Sequence, residues 1–180
     1  MTLKIVSYIS NYIPEFGYST AEEREFLPIN HPDAKRAAQK ALDYDNHIYL
    51  PGYIEMTYED KVFLSSSEGT EDMLFTWWDI IWYLHHFDEE IEYDITLLDN
   101  IATLFIMKKE TDFYIVLDSY PIEAPQNIRT MVIPQRNFID VMISAFKEFL
   151  IFCKSGLIFN EESQFKSVIE LEGKLNSIQR

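Results

Sequence analysis

The chain of 180 residues has one cysteine, five glycines and only 15 basic residues. Its single thiol, Cys153, cannot form an internal disulfide, so the fold depends on a hydrophobic core. The start of the sequence also lacks the basic segment, apolar run and small-residue cleavage site of a secretory signal. These absences predict a cytoplasmic protein that folds in a reducing compartment.

Apolar runs long enough to cross a bilayer are missing as well. The longest, residues 73–87, is interrupted by Asp79 and would span about 23 Å as a helix, less than the ~30 Å hydrocarbon core of a membrane. Hydrophobic residues still make up 47% of the chain, which is enough to fill a core. No repeat, low-complexity tract or Gly/Ser linker divides it, so we predict that residues 1–180 form a single domain that does not bind a membrane.

The spacing of apolar residues predicts an α+β fold in which helices pack against an antiparallel sheet. Helical spacing is found at 32–43, 71–87, 134–154 and 161–177. Thr70 and Asn160 are the expected N-caps of two of these helices. Strand-like runs are found at 3–10, 53–58, 61–65, 93–98, 101–108, 113–118 and 127–133. Residues 11–30 follow neither period and are expected to form a long surface connection.

Recognisable catalytic and ligand-binding motifs are missing from the sequence. It has no glycine-rich phosphate loop and no Gly-x-Ser-x-Gly turn. Cys153 lies within a hydrophobic helical repeat, which is typical of a core residue. His85 and His86 point about 100° apart on a helix and cannot both bind one ion. We therefore predict a protein that is not an enzyme and has no cofactor, while a hydrolase, or a metal site at His86 with Asp88 or Glu89, stays open.

Acidic residues are concentrated in the middle of the chain, which carries a net charge of -15 overall. Residues 61–120 hold 13 acidic and three basic side chains, whereas residues 121–180 hold seven of each. Neither Lys nor Arg occurs between Lys61 and Lys108, and carboxylates this dense repel one another. Such a surface disfavours nucleic acid and favours a basic protein partner, although a solvated acidic loop is the simpler interpretation.

The predicted helix at 71–87 is apolar or aromatic on both sides. The expected core stripe consists of Met73, Leu74, Trp77, Ile80, Ile81 and Leu84. The opposite side mixes aromatic rings with carboxylates and consists of Asp72, Phe75, Asp79, Trp82, Tyr83 and His86. Either the helix is buried on both faces, or Phe75 and Trp82 are exposed anchors surrounded by acid. Because burying Asp72 and Asp79 is costly without partners, we expect partial exposure.

These observations predict a partner-binding surface on and after this helix. Aromatic anchors with a charged rim are common in interface hot spots, and carboxylates accelerate the capture of a basic partner. The predicted partner-binding residues are Asp72, Phe75, Asp79, Trp82, His86, Asp88, Glu89, Glu90 and Glu92. We expect this set to bind a protein rather than to supply catalytic or metal-ligating groups.

The chain combines a short acidic α+β layout with a Gly-x-Ile-Glu hairpin entry, a tryptophan-rich helix and a closing helix that starts at a proline. The residues concerned are Gly52, Tyr53, Ile54 and Glu55, then Trp77, Trp78 and Trp82, and finally Pro134. In this combination the chain resembles small acidic immunity proteins of bacterial polymorphic or contact-dependent toxin systems. The resemblance implies tight one-to-one binding of a cognate toxin, often a basic nuclease, with its active site or substrate groove blocked. The gene immediately upstream would then encode a secreted protein with a toxic C-terminal domain.

Two other interpretations of the acidic aromatic surface stay open. An acidic nucleic-acid mimic or adaptor would block a nucleic-acid-binding protein, with spaced carboxylates in place of phosphates. A homodimer would bury the aromatic face against a second copy of the chain.

Overall fold

The computed structural model describes residues 2–89, 92–97, 102–120 and 126–178. The strands are Leu3–Ser10 (β1), Tyr12–Ile13 (β2), Gly17–Tyr18 (β3), Phe26–Pro28 (β4), Gly52–Tyr58 (β5), Lys61–Leu64 (β6), Glu92–Thr96 (β7), Ala102–Lys109 (β8), Asp112–Ser119 (β9) and Asn127–Pro134 (β10). The helices are Ala34–Tyr44 (α1), Met73–His86 (α2), Gln135–Lys154 (α3), Phe165–Glu172 (α4) and Leu175–Ile178 (α5). The predicted α+β class is confirmed.

The antiparallel strands form two four-stranded sheets and the two-stranded sheet of β2 and β3, where the sequence suggested one sheet. The first sheet has the order β4-β1-β5-β6, and the second has the order β10-β9-β8-β7. The second sheet is the predicted meander, in which each strand pairs with the next along the chain. Its strand β7 is an edge strand that lies beside α2.

Helices α2 and α3 pack between and against both sheets. Helix α3 contacts β1 of the first sheet and β9 and β10 of the second. Helix α2 contacts β5 of the first sheet, β7 of the second, and the helices α3, α4 and α5. Trp77 of α2 is fully buried, packs on Phe146 and Phe149 of α3, and donates its indole N–H to Ser7 Oγ at 3.1 Å. All six residues of the predicted α2 core stripe are buried, so that prediction is confirmed.

Arg129 connects the edges of the two sheets. From β10 its guanidinium donates to the Phe63 carbonyl of β6 and to Glu68 Oε1, both at 2.7 Å. Glu68 is only 1% exposed and ends a 3₁₀ turn, Ser66–Glu68, where its other oxygen accepts from the Ser65 N–H at 3.0 Å. One ion pair therefore holds β6, β10 and the turn before α2 in place.

Residues 11–30 contain more structure than the predicted surface connection. Strand β4 pairs with β1, with Leu27 fully buried, and β2 and β3 form a short hairpin. Asn11 is also fully buried, and its amide Nδ2 donates to the carbonyls of Glu22 and Arg24 at 2.6 and 3.0 Å. These strands of two or three residues are too short for a hydrophobic period to reveal them.

Two predicted helix ends are wrong. The N-cap of α2 is Asp72 rather than Thr70, whose hydroxyl instead accepts from the Asp72 N–H at 3.3 Å. The predicted helix at 161–177 is two helices, α4 and α5, with Gly173 between them and Gln164 as the first N-cap. Asn160 forms a turn, in which its side-chain oxygen accepts from the Glu162 N–H.

Candidate protein-binding surface

Asp72, a predicted partner-binding residue, is an internal cap of α2. It is 2% exposed, and its Oδ1 accepts from the N–H groups of Leu74 at 3.0 Å and Leu50 at 3.4 Å. Burial outweighs these hydrogen bonds and raises the pKa of the carboxyl to about 6. Asp72 therefore cannot contact a partner, and its place in the predicted surface is wrong.

The raised pKa of Asp72 predicts a pH-dependent stability. Because the folded-state value of about 6 lies above the ordinary 3.8, the folded chain binds the proton more tightly than the unfolded chain. The free energy of unfolding should fall by about 2–3 kcal/mol as the pH rises through this interval. Asp72→Asn keeps an equally good N-cap and removes the titration. In urea unfolding, the stability of the variant relative to that of the wild type should rise from about pH 4 to about pH 7. A difference in stability that does not change with pH would contradict the raised pKa of Asp72.

Asp79, in the middle of α2, is also internal rather than part of the surface. It is 5% exposed, its Oδ1 accepts from the Tyr93 hydroxyl at 2.6 Å, and its Oδ2 accepts from the Thr96 N–H at 3.4 Å. Burial raises the pKa of this carboxyl despite both hydrogen bonds. We expected such burial to be too costly, but the edge strand β7 supplies the donors that make it possible.

The aromatic side chains of α2 form a continuous, partly exposed row, which we call the tryptophan row: Phe75, Trp78, Trp82 and His86. Their spacing of three and four residues places them on one helix face. Successive ring centroids are 6.0, 6.4 and 4.3 Å apart, and Tyr93 of β7 extends the row, 5.3 Å from Trp82. Each of these five side chains is partly buried, so Phe75 and Trp82 are neither free anchors nor core residues.

His86 is held in the row by the helix itself. Its Nδ1 lies 2.8 Å from the Trp82 carbonyl, and its ring stacks on the Trp82 indole at an interplanar angle of 27°. Tyr83, which the sequence placed on the same face, is instead fully buried against Phe113 and Tyr93. The helix is therefore buried on most of its circumference, and its partly exposed side chains are those of the tryptophan row and His85.

The predicted carboxylates after α2 have different environments. Asp88 is exposed and pairs with Lys108, whose ammonium also lies 4.8 Å from the centroid of the Phe87 ring. Glu89 and Glu92 are exposed, as is Asp94 on the same strand as Glu92. Glu90 lies outside the described residues. Negative charge just beyond the C-terminal end of a helix is disfavoured by the helix dipole, so the carboxylate of Glu89 costs stability in the free chain.

Comparisons with known proteins add nothing to the geometry described above. No protein-family model, curated protein or solved structure matches the chain. Within the described ranges, no cluster of three His, Cys, Asp or Glu side chains could hold a metal ion. Across the same ranges, none of the helices is both long and apolar enough to cross a membrane.

Sequence reasoning named Trp78 only as a further candidate anchor and missed Tyr93 as a member of this surface. The position of Trp78 was visible in the helical spacing, because it lies three residues after Phe75 and four before Trp82. That of Tyr93 was not, because it depends on the edge strand β7 lying beside α2. We call the tryptophan row together with Tyr93, Asp88 and Glu89 the α2–β7 surface. Glu92 and Asp94 alternate with Tyr93 along β7 and therefore point to the opposite face of the sheet, away from α2.

Proposed function

We propose that this chain is an inhibitor of the immunity-protein type, which binds a basic toxin through the α2–β7 surface and carries out no reaction itself. The observation that carries the proposal is the tryptophan row, a line of four partly exposed rings with carboxylates directly after its last member. Indole rings provide large contact areas at a low entropic cost, which is why Trp is enriched in interface hot spots.

Electrostatics supports a cationic partner for this surface. Asp88 and Glu89 are exposed just beyond the C-terminal end of α2, where a positive charge is favoured and a negative one is not. Lys or Arg side chains of a partner would remove this unfavourable interaction and pair with the carboxylates. The same field would accelerate association at low ionic strength.

Partial burial of the tryptophan row makes it suitable for binding. The Trp82 ring is fixed between His86 and Tyr93, so little side-chain entropy remains to be lost in a complex. Its exposed part then offers a rigid apolar strip. A standard interface of about 1,600 Å² in total could centre on it, with the carboxylates at one end.

The test partner is the toxic C-terminal domain that the proposal expects to be encoded immediately upstream, which we call the upstream-encoded domain. Wild-type chain should bind it, and Asp88→Lys/Glu89→Lys should lower the association rate about tenfold at low salt and flatten the salt dependence. The matched control is Glu161→Lys/Glu162→Lys, which reverses two exposed carboxylates elsewhere and should change the rate less than twofold. Equal effects of the two double variants, or no binding by the wild type, would contradict the proposal.

Trp82→Ala tests the aromatic part of the same surface. Loss of a hot-spot tryptophan should weaken binding by about 30-fold, mainly through faster dissociation. Tyr120→Ala, which removes an exposed ring outside the α2–β7 surface, is the control. Circular dichroism at the assay temperature must show both variants folded. If Trp82→Ala dissociates from the partner as slowly as the wild type, the tryptophan row is not part of the interface.

The nucleic-acid mimic and the homodimer predict different results in these assays. A mimic should lose its partner to excess DNA and should retain affinity after Trp82→Ala. A homodimer through the tryptophan row should elute and scatter as a dimer that Trp82→Ala dissociates. Either result would contradict capture of a toxin by the exposed row.

A further inference from the structure

The second sheet has an outer side that is turned away from the helices. Helix α3 packs on its core side, where the ring centroids of Phe113 and Phe138 are 5.5 Å apart. Side chains alternate between the two sides of a strand, so Ile106 of β8 is fully buried while its neighbours Phe105 and Met107 point outward. Throughout the described parts of β7, β8, β9 and β10, none of the outward side chains is buried.

Apolar side chains lie next to one another across three strands of this outer side. Phe105 is directly opposite Val116 of β9, and Met107 is directly opposite Tyr114. Val132 of β10 continues the row of Tyr114 and is 49% exposed. We call the apolar patch the outer sheet face, and it consists of Phe105, Met107, Tyr114, Val116, Ile128 and Val132. None of these six side chains packs against the hydrophobic core.

This composition is unusual for a sheet side that faces solvent. Where one side of an antiparallel sheet is solvated, its side chains are normally polar and the apolar ones alternate to the core side. Here the two central strands, β8 and β9, present two aromatic rings, a thioether and a valine outward. In a chain with a net charge of -15, a contiguous apolar patch of this kind indicates an interaction surface.

Carboxylates border the outer sheet face along one edge. On β7, Glu92 is directly opposite Met107 and Asp94 is directly opposite Phe105, so both carboxylates lie on the outer side. Both side chains are exposed, and neither forms an ion pair within the described residues. The other edge is β10, which is described over its whole length and presents no charged side chain outward. The charge of the face is therefore asymmetric.

The lysines nearest to this edge are already balanced by carboxylates. Lys109, at the end of β8, is the only outward cation on the described strands of the second sheet, and Asp112 of β9 is directly opposite. Lys108 belongs to the other side of β8, where its ammonium pairs with Asp88. A hollow of about 280 Å³ beside Glu92 leaves room for an added side chain. Glu92 and Asp94 are thus available to a cation from outside the chain.

A second copy of the chain does not complement the outer sheet face. Two copies, each with a net charge of -15, repel one another. If two outer sheet faces packed with their strands aligned about a two-fold axis, β7 of one copy would lie over β7 or β10 of the other. Neither strand presents a cation to this face. A partner that carries its own cations is complementary in both respects.

The apolar strip on the central strands has the width of one helix. Neighbouring strands are about 4.8 Å apart, so the strip on β8 and β9 is about 10 Å wide, and a helix with its side chains has a diameter of about 10–12 Å. A helix over this strip has one flank above β7 and the other above β10. Because β7 alone carries charge, basic residues on one flank would give the helix a preferred orientation.

We propose that the outer sheet face binds an amphipathic helix of a protein partner, with Lys or Arg side chains of one flank over Glu92 and Asp94. The apolar stripe of the helix covers β8 and β9, as α3 covers part of the core side of the same sheet. Apolar contact then supplies the affinity, and the ion pairs fix the orientation. This inference goes beyond the proposed function, because the outer sheet face lies on the other side of β7 from the tryptophan row.

A peptide of defined sequence tests the site. The probe is acetyl-Lys-Gln-Leu-Lys-Ala-Ala-Leu-Lys-Gln-Leu-Lys-Ala-Gln-Leu-amide, in which leucines form one helical stripe and lysines follow one flank. In an NMR titration, the methyl signals of Val116, Ile128 and Val132 should shift most, and those of Ile106 and Ile115 on the core side least. With glutamine in place of lysine, the peptide should bind about fivefold more weakly. Unmoved methyl signals at the three outward residues would overturn the site.

The apolar contribution is tested by Phe105→Thr/Val116→Thr, which keeps residues that favour strands. It should raise the dissociation constant of the lysine peptide about tenfold. The matched control is Tyr49→Thr/Val62→Thr, which removes one exposed aromatic and one exposed aliphatic side chain outside the second sheet and should change the constant less than about twofold. Circular dichroism must show both variants folded. Equal constants for the two would overturn the site.

The acidic edge is tested by Glu92→Gln/Asp94→Asn, which should raise the dissociation constant of the lysine peptide about threefold and leave that of the glutamine peptide unchanged. Glu161→Gln/Glu162→Gln removes the same charge from two exposed positions elsewhere and is the control. If both double variants weaken the lysine peptide equally, the net charge of the chain attracts the peptide and the proposed orientation of the helix is wrong.

Two further results separate this site from a homodimer and from the proposed function. A wild-type dimer in sedimentation that Phe105→Thr/Val116→Thr dissociates would assign the outer sheet face to a second copy and overturn the helix. Trp82→Ala should leave the constant measured from the Val116 methyl signals within about twofold. If the upstream-encoded domain does not bind the wild type, the proposed function fails and the peptide titration still decides this site. If the titration fails, the proposed function stands.

Discussion

Gly52→Ala should lower the free energy of unfolding by about 3 kcal/mol or more and yield little soluble protein. Gly52 begins β5 where it crosses Tyr8 of β1, and an added Cβ would lie 2.1 Å from the Tyr8 carbonyl oxygen and 3.0 Å from Met73 Cγ. Because the nearest atom belongs to backbone, relief requires β1 and β5 to separate. Gly52 also exchanges two backbone hydrogen bonds with Thr70, so the start of α2 would move as well.

Gly69→Ala is the matched control for this prediction. At Gly69 an added Cβ would meet its nearest atom, the Gly52 carbonyl oxygen, at 3.4 Å, an ordinary contact. Urea unfolding of the two variants should therefore separate by at least about 2 kcal/mol. Similar urea midpoints for Gly52→Ala and Gly69→Ala would show that β1 and β5 do not approach each other this closely at Gly52.

Arg129→Met should cost about 3–5 kcal/mol of stability, because it leaves the buried carboxylate of Glu68 without its cation and the Phe63 carbonyl without a donor. The effect is larger than for a surface pair because Glu68 is fully enclosed while Arg129 is three-quarters buried. Thermal and urea unfolding measure it. The junction of the two sheets should loosen, so amides of β6 and β10 should exchange faster in the variant.

Arg136→Met and a double variant provide the controls. Arg136 is 95% exposed and lies 3.9 Å from Asp140, so its loss should change stability by less than about 0.5 kcal/mol. In Arg129→Met/Glu68→Gln the uncompensated charge is gone, and part of the lost stability should return. If Arg129→Met is as mild as Arg136→Met, the ion pair does not hold the sheets together.

The elements that the sequence predicted well are those with a long hydrophobic period. Helix α3 and the strands of the meander match their predicted positions within about two residues, because runs of five or more residues with one period, bounded by turn residues, leave little ambiguity. The core stripe of α2 was correct for the same reason. Strands β2, β3 and β4 were missed because two or three residues show no period.

The partner-binding surface was only partly predictable, since it depends on contacts between distant parts of the chain. Asp72 and Asp79 looked too costly to bury, and both are buried because Leu50, Tyr93 and Thr96 supply donors that no local pattern reveals. The acidic residues of the middle of the chain are also less concentrated on the surface than the sequence suggests, because Glu68, Asp72 and Asp79 are buried.

The most direct test of toxin capture by the α2–β7 surface is amide hydrogen exchange of the chain, free and in complex with the upstream-encoded domain. Binding through this surface should slow amide exchange in residues 73–89 and in residues 92–97. A stable complex that leaves amide exchange in residues 73–89 and 92–97 unchanged would contradict capture of the toxin by the α2–β7 surface.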